Sequence, residues 1–72
     1  MSPRQNITIT VNGQSMETED QILLPAFLKS QEMNPERVVV EYNGTAQTRS
    51  ESSITKLRQG DTLEVVRIVA GG

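Results

Sequence analysis

The 72-residue sequence predicts an α+β fold, a mixed five-stranded sheet with one main helix packed on one face. Three observations predict it. Two β-branched runs each lead into an Asn-Gly pair, a single stretch carries apolar residues at helical spacing, and the longest strand-like segment follows Gly60-Asp61.

Ile7-Thr8-Ile9-Thr10-Val11 alternates apolar and polar residues, and Asn12-Gly13 follows as a strong hairpin signal, so Gln14-Ser15-Met16-Glu17 returns as a second strand. Ile7, Ile9 and Val11 then face the core, with Met16 opposite them. Thr18-Glu19-Asp20-Gln21 reads as a helix entrance in which Thr18 and Asp20 cap free amides. Leu24, Phe27 and Leu28 form an amphipathic stripe, and Pro25 is tolerated in a first turn, which places the helix from near Leu24 to about Glu32. Asn34-Pro35 ends it.

Arg37-Val38-Val39-Val40-Glu41-Tyr42 is a third strand, and Asn43-Gly44 turns it into a weaker fourth, Thr45-Ala46-Gln47-Thr48. Arg49 to Ser53 reads as loop. Ser53 is expected to cap a short turn that tucks Ile54 and Leu57 under the sheet. Gly60-Asp61 then turns the chain into Thr62-Leu63-Glu64-Val65-Val66-Arg67-Ile68-Val69, the longest strand. Placing that strand centrally, parallel to the first, yields the β-grasp arrangement.

A chain this short forms one domain, 1–72, and its core leaves about 3–5 kcal/mol of net stability. Residues 1–6 are expected to be flexible, and residues 70–72 to form a flexible functional tail. The absence of Cys and His removes disulfides, thiolate nucleophiles, imidazole catalysis and nearly every transition-metal site. With a net charge of −2 and no basic block, no nucleic-acid groove is indicated, and the acidic balance favours a basic protein partner. No apolar run approaches a membrane span and the start is too polar for a signal sequence, so a soluble, cytoplasmic protein is expected.

Several short motifs, ordinary singly, occur in one order: Val11-Asn12-Gly13; Asn34-Pro35-Glu36-Arg37-Val38; Glu41-Tyr42-Asn43-Gly44; Gly60-Asp61; and Glu64-Val65-Val66-Arg67-Ile68-Val69-Ala70-Gly71-Gly72. Together they resemble the ubiquitin-like ThiS/MoaD sulfur carriers, most closely the thiamine-biosynthesis branch, across the chain after Asn6. Two places depart from that pattern. Thr48 stands where the family often has proline before the residue that is Arg49 here, and the helix start carries Ile22-Leu23-Leu24-Pro25.

The resemblance implies a protein that is not an enzyme but a carrier activated in trans. Its C-terminal carboxylate, on Gly72, would be adenylated by an E1-like (ThiF-like) adenylyltransferase that holds ATP and Mg²⁺. A persulfide from a sulfur-donating enzyme would displace AMP to leave a thiocarboxylate, and a ThiG-like thiazole synthase would consume its sulfur. Glycine has no Cβ, so Gly71-Gly72 suits a narrow channel, and Ala70 keeps the approach slim. No phosphate-binding loop exists in this chain, which agrees with activation by another protein.

On the last strand Val66 and Ile68 should point away from the helix, and Val39 should join them. They would form an apolar patch rimmed by Glu41, Glu64 and Arg67, expected to dock the activating enzyme. Both Asn-Gly pairs read as turns, and the remaining carboxylates and arginines as solvated surface. Other readings are the small subunit of molybdopterin synthase or another thiocarboxylate carrier, a ubiquitin-like modifier conjugated to lysine, and a β-grasp interaction module with an idle tail.

Overall fold

The computed structural model describes residues 5–69. Its elements follow in the order β1 (Asn6–Val11), β2 (Gln14–Glu19), α1 (Leu24–Ser30), a 3₁₀ turn (Pro35–Arg37), β3 (Val38–Tyr42), β4 (Thr45–Ala46), α2 (Arg49–Ile54) and β5 (Thr62–Arg67). They form one five-stranded sheet in the order β2-β1-β5-β3-β4. β5 lies at its centre, parallel to β1 and antiparallel to β3. The expected mixed sheet with its apolar strand innermost is the one observed.

Strand alternation sorts the core. Ile7, Ile9 and Val11 of β1, Val40 of β3, and Leu63 and Val65 of β5 are buried, and they meet Leu24, Phe27 and Leu28 of α1. Phe27, Leu24, Leu57 and Leu63 are completely enclosed. In a domain with so little net stability, truncating any of these to Ala costs about 2–5 kcal/mol, comparable with the whole.

The chain between β2 and α1 differs from expectation. β2 stays paired as far as Glu19, opposite Asn6, and Gln21 adopts a left-handed backbone with φ of 63° before the helix starts. Thr18 and Asp20 therefore lie too far upstream to cap α1. Leu23 is its N-cap, without a capping side chain, and Pro25 sits in the first turn. The Leu24 N–H instead donates to the Thr55 carbonyl at 2.8 Å, while Gln21 N–H and Leu57 N–H exchange bonds with Leu57 and Ile22. The segment after α2 thus closes the open end of α1.

A second difference is α2 itself, which occupies part of the stretch read as loop. Thr48 accepts from the Glu51 N–H at 3.1 Å and the Glu51 carboxylate accepts from the Thr48 N–H at 2.8 Å, a reciprocal capping box. Thr48 and Glu51 carry this signal, and proline at position 48 could not supply it. Ser53, expected to be a cap, lies within the helix, and Ile54 is exposed rather than tucked in. Leu57 is buried as expected.

Candidate functional site

The two faces of the sheet differ in kind. α1 covers one. On the other, the β3–β5 register places Val39 opposite Val66 and Glu41 opposite Glu64, with Ile68 one step beyond. Val39, Val66 and Ile68 are 46%, 63% and 53% exposed, so three large apolar side chains face water side by side.

Of the residues expected around this patch, Glu41 and Glu64 are there, directly across from each other. Arg67 is not. It shares strand parity with Leu63 and Val65 and so lies toward the helix side, because successive side chains alternate faces. Arg37 takes the position across from Ile68, whose N–H donates to the Arg37 carbonyl at 2.8 Å. Ala70, Gly71 and Gly72 lie outside the described residues, three to five positions past Arg67 in sequence. β5 is thus the element that leads toward them.

What holds β5 in place involves residues that reading the sequence took as turns alone. Asn12 and Asn43 both occupy hairpin corners with φ of 50°, each followed by a glycine at positive φ, as tight turns of this hand require. Each side chain also reaches β5. The Asn12 amide accepts from the Val65 N–H at 2.7 Å and donates to the Val65 carbonyl at 3.2 Å, imitating one more peptide unit of β1. Asn43 accepts from the Thr62 N–H at 2.8 Å, and its own N–H donates to the Thr62 carbonyl at 2.8 Å. The central strand is therefore pinned from both flanks.

Asp61 was likewise missed. It is 8% exposed and accepts from the Tyr42 hydroxyl at 2.7 Å, from the Asn43 side-chain amide at 3.2 Å and from the Arg58 N–H at 2.8 Å. These bonds fasten the β3–β4 corner to the entrance of β5. Burial, then the hydrogen bond to Asp61 and its negative charge, hold the Tyr42 hydroxyl above its ordinary pKa. The function of this cluster is structural, because each of its polar atoms already has an internal partner.

Among the described residues no three His, Cys, Asp or Glu side chains gather to hold a metal, and no helix is long and apolar enough to cross a membrane. A groove beside α1 and α2 is lined by Pro25, Leu28, Val38, Val40 and Ser52, and also by Val39 and Ile68 of the patch. At its rim an exposed Glu36–Arg49 ion pair spans 3.8 Å. These residue types bring no nucleophile beside a base.

A β-grasp sheet whose central strand precedes Gly71-Gly72 in sequence is the layout that the sequence motifs anticipate, and the clamp on that strand is added by the structure. The profile of the ThiS family matches residues 5–72. The chain belongs to the ThiS family. It is 37% identical over 67 residues to the uncharacterized protein ycf40 of Pyropia yezoensis, covering 93% of this chain and 94% of that one. It is 29% identical to the ycf40 protein of Porphyra purpurea, with 94% and 96% covered. Among solved structures it resembles the thiamine biosynthesis protein (ThiS) from Geobacter metallireducens, with a TM-score of 0.78 and 26% identity over 92% of this chain and all of the other. Membership of the ThiS family makes this chain a carrier and co-substrate rather than a catalyst, working with an activating protein of the E1 type.

Proposed function

We propose that this ThiS-family chain is the sulfur carrier of thiazole formation in thiamine biosynthesis. Gly72 carries the reacting carboxylate, and Gly71 and Ala70 form the slim approach to it. A carboxylate is a poor acyl donor because its leaving group would be oxide. Attack of its oxygen on the α-phosphorus of ATP expels pyrophosphate and leaves an acyl-adenylate. A persulfide then takes the acyl group, AMP departs with the C–O electron pair, and thiol reduction of the resulting acyl disulfide leaves –COSH on Gly72. Thiazole synthase takes the sulfur from there.

The observation that carries this reading is the family match running through residue 72, over both glycines. The likeness to a thiamine biosynthesis protein of known structure favours the thiamine pathway over other thiocarboxylate routes. The docking surface we assign is the apolar group of Val39, Val66 and Ile68. Opposed carboxylates on one sheet face repel, so Glu41 and Glu64 are best satisfied by a cationic rim on the partner. Arg67, on the opposite side of the sheet, is assigned no part in that patch through its side chain.

The test is intact-mass analysis of the chain after incubation with ATP, Mg²⁺, a persulfide donor and its cognate activating enzyme. One oxygen should be exchanged for sulfur at Gly72, and labelled sulfur should pass into thiazole when thiazole synthase is added. A thiocarboxylate whose sulfur never reaches thiazole would reassign the carrier to another pathway. Adducts to lysine that survive thiols would instead mark it as a modifier.

A further inference from the structure

The backbone of β5 has a consequence for how a partner takes hold of it. The residues of β5 that bond to β3 are the even-numbered ones, as the Thr62–Asn43 and Ile68–Arg37 bonds at either end show. Odd-numbered residues bond toward β1. Thr10 N–H donates to the Asp61 carbonyl and Asn12 N–H to that of Leu63, both at 2.9 Å, and the Asn12 amide satisfies Val65. The next residue facing that side is Arg67. β1 has by then turned back at Asn12-Gly13, so among the described residues the Arg67 N–H and carbonyl have no backbone partner.

This leaves a notch at the end of the β1–β2 hairpin, an open edge of β5 in line with β1 and bounded at its inner end by the Asn12 amide. Its floor is the edge of the strand that leads to the tail, and it adjoins the Val66 and Ile68 side chains. A directional donor and acceptor on one strand edge are matched by peptide groups better than by side chains. We infer that an extended backbone segment of the activating protein enters this notch and pairs with Arg67, adding a strand where β1 stops. The inference rests on the proposed activation in trans. Two considerations argue for such an occupant. The notch flanks the apolar patch, so one partner can cover both, and the added strand would fix the strand that precedes residues 70–72 in sequence relative to the partner's nucleotide site. The outer edge of β2 is a poorer place for an added strand, because Glu17 and Glu19 are exposed along it.

The experiment measures amide hydrogen exchange of Arg67 by NMR in the full chain, free and bound to its activating enzyme without ATP. Exchange should be fast in the free chain and slowed by about tenfold or more in the complex. Arg67→Pro and Arg67→Ala provide a second reading. Proline removes the N–H without breaking an internal bond, so it should raise the KM for adenylation by about tenfold over Arg67→Ala, with equal melting temperatures. An Arg67 amide that exchanges equally fast in a complex that goes on to be adenylated overturns the notch alone and leaves the carrier reading standing. Protection that grows with the concentration of the chain by itself overturns it in favour of pairing between copies. If the native chain neither binds nor is adenylated, the function proposed above fails as well.

Discussion

The uncovered face of the sheet has two halves made under the same constraint and filled in opposite ways. On the β1–β2 half, the outward positions are Thr8, Thr10, Ser15 and Glu17. On the β3–β5 half they are Val39, Val66 and Ile68, bordered by Glu41 and Glu64. Both halves face water and neither contributes to the core, so folding does not explain the difference. The polar half is what an exposed antiparallel sheet ordinarily looks like. The apolar half lies on the strand that precedes residues 70–72 in sequence, where the proposed function puts the partner.

Making the halves alike should break the contrast with the largest effect. Val39→Thr, Val66→Thr and Ile68→Thr together are expected to weaken binding to the activating enzyme by about a hundredfold or more. Because the sites are exposed and threonine suits strands, the melting temperature should hardly move. Calorimetry of binding beside thermal unfolding separates the two. Equal substitutions at Thr8 and Thr10, to valine, should leave binding unchanged.

The clamp between the halves is next. Asn12→Asp keeps the turn and the acceptor but sets a carboxylate oxygen against the Val65 carbonyl, and should cost about 1–3 kcal/mol in urea unfolding. Smaller again is Glu41→Gln, which relieves the repulsion with Glu64. It should stabilise the free chain by about 0.2–1 kcal/mol while weakening binding to the partner, opposite signs that mark a residue kept for docking.

The smallest effect concerns Tyr42, away from both halves. Its folded pKa lies above its unfolded value near 10, chiefly through burial and then the bond to Asp61. The stability this shift provides is complete below about pH 10 and is lost as pH rises through the folded pKa. Thermal melts in alkaline buffer should show that loss, and Tyr42→Phe should remove its slope.

Much of this was legible in the residues. The first hairpin, the stripe of α1 and the inward set of β5 follow from periodicity and turn chemistry, which act over short distances. The entrance to α1 was misread because Thr18 and Asp20 have the chemistry of caps, while pairing of Glu19 with Asn6 kept the chain extended past them. α2 was missed as a helix although Thr48 and Glu51 stood at the spacing of a capping box, because six polar-rich residues offer no apolar stripe. The outward patch was found by alternation. Arg67 was assigned to the wrong side of it despite the same rule, since its charge suggested a rim. The Asn12 and Asp61 contacts reach across as many as 53 and 19 positions, distances over which no local pattern speaks.

The most direct measurement traps the activated end. The chain, ATP, Mg²⁺ and the activating enzyme are mixed with hydroxylamine but no sulfur donor, and the product is sequenced by tandem mass spectrometry. A hydroxamate on the carboxyl group of Gly72, formed only with ATP present, is the predicted result. An unmodified Gly72 in a mixture where the same enzyme adenylates an established ThiS-family carrier would contradict it.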